Sequence, residues 1–479
     1  MNRALLADFY ELTMMQGYLL REDNPRAVFD MFFRRQPFGG GFAVAAGLQT
    51  LLEFLSSLQF APDDIEYLRG TGVFRPAFLD YLAAFRFRGD VWALDEGTIA
   101  FPGEPLVRVH GTLVETQLVE SALLAIVNYQ TLVATKAARV ALAARGADVM
   151  EFGLRRAPGV DGALSASRAA FIGGAAATSN TLAGKLFGIP VRGTMAHSWV
   201  MAFPDEREAF EAYARAYPDS AVLLIDTYDT LGSGITNAIA VGTALQREGH
   251  TSFGVRLDSG DLEYLSKRVR ERLDAAGLSH ARIVASNELD EQIVEQLVAH
   301  GAPIDTWGVG TSIVTGAGDP ALSGVYKIAA RQERGAWVPT IKISNNPEKV
   351  TNPGIKQVFR FRGPAGEALA DLITLEEEPV IPGKRYTFHH PMGDSRSFVL
   401  EAGEKTAPLL HLQMRDGLPV AEAPALAALQ ARARQELASL DDTYKRRVNP
   451  HLYKVSLSDA LSGLKARLVR ETLARGGTR

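Results

Sequence analysis

Ala221-Val222-Leu223-Leu224-Ile225, Phe253-Gly254-Val255-Arg256-Leu257 and Arg282-Ile283-Val284-Ala285 decide the reading of this chain. Each is a short apolar run, and a segment long enough for a helix separates it from the next. Strands that are apolar along their whole length need cover on both faces, as a parallel sheet flanked by helices provides. Two similar runs come earlier, Val149-Met150-Glu151-Phe152 and Pro190-Val191, and one later, Ile304-Asp305-Thr306-Trp307-Gly308. The intervening segments include Ala166–Phe187, with Gly188 placed to cap its end, and Leu262–Ala276. Such a succession of βα units over residues 131–330 is expected to form an α/β barrel or an open doubly wound sheet.

Outside this region the pattern changes. Residues 1–130 mix periods, with helical spacing over Leu5–Leu20 and strand patterns at Asp90–Leu94 and Leu106–Val109. Gly39-Gly40-Gly41 reads as a turn. Residues 330–420 are rich in strand patterns, among them Trp337–Ile343 and Arg396–Leu400, and residues 421–479 read as charged helices. The expected organisation is therefore an N-terminal α+β domain (1–130) completed by 330–420, a barrel (131–330) and a helical tail (421–479).

The chain has 479 residues, is 47% hydrophobic and 22% charged, and carries a formal charge of -4. That balance speaks against a general nucleic-acid binder, which needs a basic footprint. With no cysteine, the chain has no disulfide, no thiolate nucleophile and no Cys-ligated zinc. Asp8 and Glu11 interrupt the start of the chain too early for a secretory segment. No uncharged apolar stretch approaches the ~18 residues of a membrane span. A cytoplasmic enzyme is the expectation.

In parallel α/β sheets ligands gather at the carboxyl ends of the strands. The residues just past each run are therefore the place to look. After Phe152 come Gly153, Leu154, Arg155 and Arg156, where two guanidiniums can hold phosphate oxygens. After Val191 comes Gly193-Thr194-Met195-Ala196-His197-Ser198, an imidazole flanked by hydroxyls. After Ile225 comes Asp226-Thr227-Tyr228-Asp229-Thr230, able to hold Mg²⁺ or a ribose, to orient His197, or merely to cap the next helix. Arg256 and Asp258 fall on one face of an extended strand. They suit a carboxylate and a hydroxyl, a phosphate and its metal, or an internal ion pair. Ser286 comes directly after Arg282–Ala285. Gly308-Val309-Gly310-Thr311 offers backbone N–H groups to a phosphate, without the third glycine of a dinucleotide fingerprint. No P-loop motif occurs. Lys342, Lys349 and Lys356 lie in one polar segment, which reads either as a polyphosphate clamp or as a solvated loop.

Taken together, Asp8-Phe9-Tyr10, Glu151–Arg156, Gly193–Ser198, Ile225–Tyr228, Gly254–Asp261 and Gly308–Thr311 resemble nicotinate phosphoribosyltransferase, a type II phosphoribosyltransferase, over Leu5–Lys356. The resemblance implies an irregular α/β barrel with a smaller α+β domain built from both ends of the chain, and a homodimer with shared active sites. It implies formation of nicotinate mononucleotide and pyrophosphate from nicotinate and phosphoribosyl pyrophosphate, coupled to ATP hydrolysis, in NAD salvage. His197 matches the phosphorylated histidine. Asp226 and Asp258 are expected in the chemistry, Asp258 also toward Mg²⁺ through the phosphates. Tyr10 (from the partner subunit), Phe152, Asn180, Thr194 and Arg256 would hold nicotinate. Arg155, Arg156, Ser198, Ser286, Gly308, Gly310, Thr311, Lys342 and Lys349 would hold phosphoribosyl or phosphate groups. A related nicotinamide enzyme has Asp in a Gly-Thr-Asp-Thr-Val-Ala-Gly segment. This chain has neutral Asn180 in Thr178–Gly184, which does not repel a carboxylate. The cysteine-built metal knuckle of some relatives is impossible here, so no structural zinc is expected. Quinolinate phosphoribosyltransferase, which needs neither ATP nor a phosphorylated histidine, and an inactive barrel scaffold are the competing readings.

Overall fold

The computed structural model describes residues 4–20, 24–393 and 397–476. Met1, Asn2 and Arg3, the start of the segment read as too soon interrupted to be secretory, and Arg396, the first residue of one expected strand, lie outside them. The chain forms two compact units, Val133–Pro320 and Met1–Leu132 joined with Ala321–Arg479.

The first unit contains β1 (Asp148–Glu151), β2 (Ala177–Thr178), β3 (Ala221–Leu224), β4 (Phe253–Leu257), β5 (Arg282–Ala285) and β6 (Thr306–Val309). Their order across the sheet is β2-β1-β6-β5-β4-β3. Every neighbouring pair is parallel. Thr178 makes one further parallel bridge to Val191. Taken as a circle, the order follows the chain, with β6 beside β1. Among the described residues only the step from Val191 to β3 lacks strand pairing. The result is an irregular, incomplete α/β barrel. The segment that spans its open side, 192–220, carries His197.

Burial explains the continuous apolar runs. Leu223, Val255, Leu257, Ile283, Trp307 and Val309 have no exposed surface. Within β4 only Arg256 is not fully buried. Helices follow the strands after short loops, and acidic or amide side chains cap them. Asp261 accepts from Tyr264 N–H at the head of Leu262–Ala275, and Asp290 from Gln292 and Ile293 N–H at the head of Glu291–Ala299. Gly188 caps Thr181–Phe187 with φ 69°, a backbone region that glycine enters without a Cβ clash. The expected helix Ala166–Phe187 is in fact two, Gly159–Gly173 and Thr181–Phe187, with β2 between them. The break comes at Gly173-Gly174, where Gly174 takes φ 119°.

Among the described residues the second unit has two large sheets and a two-stranded one, Ala43–Val44 with Ile99–Ala100. One has seven strands in the order Ala336–Pro339, Gly324–Glu333, Arg26–Phe33, Val107–Thr112, Asp90–Leu94, Leu410–Arg415 and Leu418–Pro419. N-terminal and post-barrel segments thus pair directly, as Phe29 with Ile328 and Asp30 with Lys327. The other large sheet has six strands and includes Val455–Leu457, which runs parallel to Ala368–Leu375. Residues from 421 onward are therefore not helical throughout. Helices Leu426–Ser439 and Asp459–Gly476 flank that strand. The helix expected over Leu5–Leu20 begins at Phe9, and Gly39 ends a short 3₁₀ turn.

Candidate active site

Arg256, at the end of β4, is the hub. Its Nε donates to Ser286 Oγ at 2.7 Å, Nη1 to Thr194 Oγ1 at 2.9 Å and Met195 O at 3.4 Å, and Nη2 to Asp258 Oδ1 at 2.8 Å. A guanidinium has five N–H groups, so one Nη2 hydrogen remains for a ligand. Ser286 in turn donates to Asp258 Oδ1. β4, β5 and the strand-like end at Val191 are thereby tied together at one rim.

Asp258 faces the other way too. Its Oδ2 lies 3.7 Å from His197 Nε2, while His197 Nδ1 is 3.1 Å from Thr227 Oγ1. Asp226 Oδ2 accepts from Asp258 N–H and from Ser259 Oγ, each at 2.7 Å. Asp226 Oδ1 is buried and has no hydrogen-bond partner. His197 opens the short helix His197–Met201, whose Trp199 Nε1 donates to Ala209 O at 3.1 Å and packs on Phe203 and Tyr213. That aromatic anchor fixes the imidazole at the barrel's open side.

Burial raises the Asp258 carboxyl, but the Ser286 hydroxyl and the Arg256 guanidinium outweigh it, with His197 adding to them, and hold the pKa below the ordinary carboxylate value. A depressed carboxyl stabilises the fold above its unfolded pKa, about 3.9, and that stabilisation is lost as pH falls through the lower folded value. Asp258 thus stays charged through the neutral range. In a pH–rate profile, Asp258→Asn is expected to lower the rate without moving an acid limb that lies above pH ~5. A limb displaced by the substitution would contradict this.

The neighbouring rim is built from glycines. Phe152 N–H donates to Val309 O at 2.9 Å, and the ring lies over Gly308. A Cβ on Gly308 would meet Phe152 Cδ2 at 2.8 Å, and one on Gly310 would meet Phe152 O at 2.9 Å. Thr311, half-buried, stands at the head of the short helix Thr311–Val314. Arg155 and Arg156 are exposed in the turn Leu154–Arg156, and Ser198 is exposed one residue after His197. A cavity of about 760 Å³ is lined by Phe152, Gly193 and Thr194, by Met150, Val222 and Val284 along the strands, and by Phe253, Arg282 and Thr306 at the strand starts.

Asn180 is more deeply committed than the sequence indicates. It is 3% exposed. Its Oδ1 accepts from Ala183 N–H at the head of Thr181–Phe187, and its Nδ2 donates to Ser167 Oγ at 3.3 Å. Any influence on a ligand therefore passes through its charge state and its neighbours. The remaining expected residues belong to the other unit. Tyr10, 45% exposed, lies in the first turn of the helix Phe9–Leu20. Burial, Glu120, Glu11 and Asp8 push its phenol up, so it stays protonated. Lys342 and Lys349 are exposed. Lys356 does not belong with them in a clamp. It is 3% exposed and paired with Asp30 at 2.7 Å.

Two contributions are only partly legible in the sequence. Thr227 lies in a segment with several possible roles, and only the structure selects its contact with His197. Glu151 is hidden inside an apolar run, yet its carboxylate accepts three hydrogen bonds beneath Phe152. Among the described residues no cluster of three or more His, Asp or Glu forms a ready-made metal site. Two adjacent carboxylates, one with an oxygen lacking a partner, fit Mg²⁺ that arrives on substrate phosphates, because Mg²⁺ keeps waters and few protein ligands.

A barrel rim with a hydroxyl-flanked cation, two neighbouring carboxylates and a glycine-lined loop suits an anionic, phosphate-bearing substrate. Family models agree. The nicotinate phosphoribosyltransferase N-terminal domain matches residues 5–128, the nicotinate phosphoribosyltransferase family residues 147–357, and the corresponding C-terminal domain residues 355–465. Nicotinate phosphoribosyltransferase of Bacillus subtilis is 43% identical over 477 residues, covering 98% of this chain and 96% of its own. The human crystal structure of nicotinic acid phosphoribosyltransferase aligns with TM-score 0.85 and 35% identity, over 96% of this chain and 99% of that one. A nicotinate-nucleotide pyrophosphorylase from Pyrococcus furiosus shares the fold, at TM-score 0.68 and 21% identity over 91% of this chain and 95% of that one. The chain belongs to the nicotinate phosphoribosyltransferase family.

Proposed function

We propose that this enzyme joins nicotinate to phosphoribosyl pyrophosphate, releasing pyrophosphate, and drives the reaction with ATP through phosphorylated His197. The pyridine nitrogen attacks C1′ as the C1′–O bond to pyrophosphate breaks. Positive charge builds on the sugar, and the carboxylates of Asp226 and Asp258 are suited to stabilise it. Arg256 and Thr194 would take the nicotinate carboxylate, in an end-on contact through the free Nη2 hydrogen. Phe152, with Tyr10 from a partner subunit, would enclose the ring. Gly308, Gly310, Thr311, Ser198, Ser286, Arg155 and Arg156 are the candidates for the phosphoryl groups. Asp258 and Asp226 would hold Mg²⁺, which neutralises the leaving pyrophosphate.

In the coupled step, the ATP β,γ P–O bond breaks, ADP leaves, and a P–N bond forms at the neutral His197 imidazole. Hydrolysis of phospho-His197 returns phosphate and the free imidazole. The added negative charge beside Asp258 would reorganise the Mg²⁺–pyrophosphate site rather than take part in C1′ chemistry. The reading includes a homodimer and a cytoplasmic enzyme of NAD salvage. No described helix is long and apolar enough to cross a membrane.

The observation that supports this reading best is the Arg256 hub, with Thr194, Ser286 and Asp258 bonded to it and His197 beyond Asp258. The test is nicotinate-dependent ADP release in the presence of phosphoribosyl pyrophosphate. Nicotinate mononucleotide formed at an equal rate with and without ATP would remove the coupling. Asn180→Asp supplies a second check. Aspartate can keep the helix cap but loses the bond to Ser167, and it brings charge toward Glu151. The nicotinate KM is expected to rise by about tenfold. Unchanged nicotinate kinetics would leave Asn180 a capping residue only.

A further inference from the structure

The geometry points to Glu151 as a positioning residue that sets both the pyridine-stacking ring of Phe152 and the neutral amide of Asn180. This inference rests on the function proposed above and deepens it. Glu151, the last residue of β1, is 1% exposed. A buried carboxylate is costly unless donors surround it. Here three do, each from a different place. Gly153 N–H donates to Oε1, and the hydroxyls of Ser167 and Thr178 donate to Oε2 at 2.8 and 2.6 Å.

These donors bracket the site. Glu151 and Gly153 flank Phe152, so the bond between them folds the backbone tightly around that one residue. With Phe152 N–H fixed to Val309 O, the ring is held over Gly308. A Cβ on Gly153 would collide with Val314 Cγ1, so the loop has no slack on its outer side. On the other arm, Thr178 Oγ1 accepts from Asn180 N–H at 3.0 Å and Ser167 Oγ from Asn180 Nδ2 at 3.3 Å. One carboxylate thereby fixes Phe152 from below and Asn180 through two hydroxyls. Glu151 is buried beneath these residues, so its action on a ligand is indirect.

The carboxylate form matters because it accepts everywhere and donates nowhere. Glutamine at this position can still accept from Gly153 N–H. Its amide must donate toward Ser167 and Thr178, whose hydroxyl hydrogens then turn away. Ser167 has an alternative acceptor in Ala163 O at 3.0 Å, so the substitution is compatible with folding.

Steady-state kinetics of full-length Glu151→Gln is the test, with nicotinate and phosphoribosyl pyrophosphate varied separately. The nicotinate KM is expected to rise by about tenfold while the KM for phosphoribosyl pyrophosphate changes by less than about twofold. A purely structural role would shift both constants or lower the amount of folded enzyme, and would not split them. Thr178→Val, which removes one donor at nearly constant volume, is expected to raise the nicotinate KM by about threefold and serves if the Gln variant does not fold. Wild-type nicotinate KM in either folded variant overturns the proposal. A wild-type enzyme that makes no nicotinate mononucleotide would instead overturn the functional reading.

Discussion

Arg256→Lys is expected to lower kcat/KM for nicotinate by two to three orders of magnitude, corresponding to about 3–4 kcal/mol of lost transition-state stabilisation. Lysine keeps the charge but not the planar fork. The guanidinium spans Ser286, Thr194 and Asp258 at 2.7–2.9 Å, and an ammonium cannot reach all three. The pair is only half-buried, at 15% and 25% side-chain exposure, so the loss comes from the broken fork geometry and not from a stranded buried charge. Asp258 would keep only Ser286 and the more distant His197. The measurement is a nicotinate titration at saturating phosphoribosyl pyrophosphate, with far-UV circular dichroism to confirm folding. A kcat/KM within about threefold of wild type would mean that Arg256 is an internal brace and not a substrate group.

His197→Ala is expected to remove all ATP-dependent phosphorylation while leaving slow nicotinate mononucleotide formation. With γ-labelled ATP, the intact protein should carry acid-labile, base-stable label, and the variant none. The expected ATP stimulation of kcat/KM vanishes altogether. The C1′ chemistry itself should survive, because Asp226, Asp258 and Arg256 keep their mutual bonds without the imidazole. Label persisting at wild-type level in His197→Ala would move the phosphorylated residue elsewhere. Thr227→Val, which removes the 3.1 Å contact to Nδ1, should slow labelling without abolishing it.

Much of this arrangement is legible in the sequence because parallel sheets write a simple pattern. Arg256 stands out as the single charge in Phe253–Leu257, and Asp258 comes two residues later, at the spacing that shares its face. What is lost is what depends on distant partners. Lys356 reads as a loop cation, and only burial against Asp30, far away in the chain, shows otherwise. β2 vanishes inside an alanine-rich stretch because two residues carry no detectable period, and alanine favours helix. Val455–Leu457 hides in the charged tail for the same reason, its strand character coming from its pairing with Ala368–Leu375. Glu151 is invisible because a carboxylate in an apolar run announces burial without naming its donors. The roles of Asn180 divide in the same way. Its position before a helix is readable, whereas its bond to Ser167 is tertiary.

The most direct test is a crystal structure of the enzyme with nicotinate mononucleotide bound. The pyridine ring is expected against Phe152, its carboxylate at Arg256 and Thr194, and the 5′-phosphate at Gly308–Thr311, all at one barrel rim. A nucleotide bound away from that rim, with Arg256 still enclosed by Ser286, Thr194 and Asp258, would contradict the proposed chemistry.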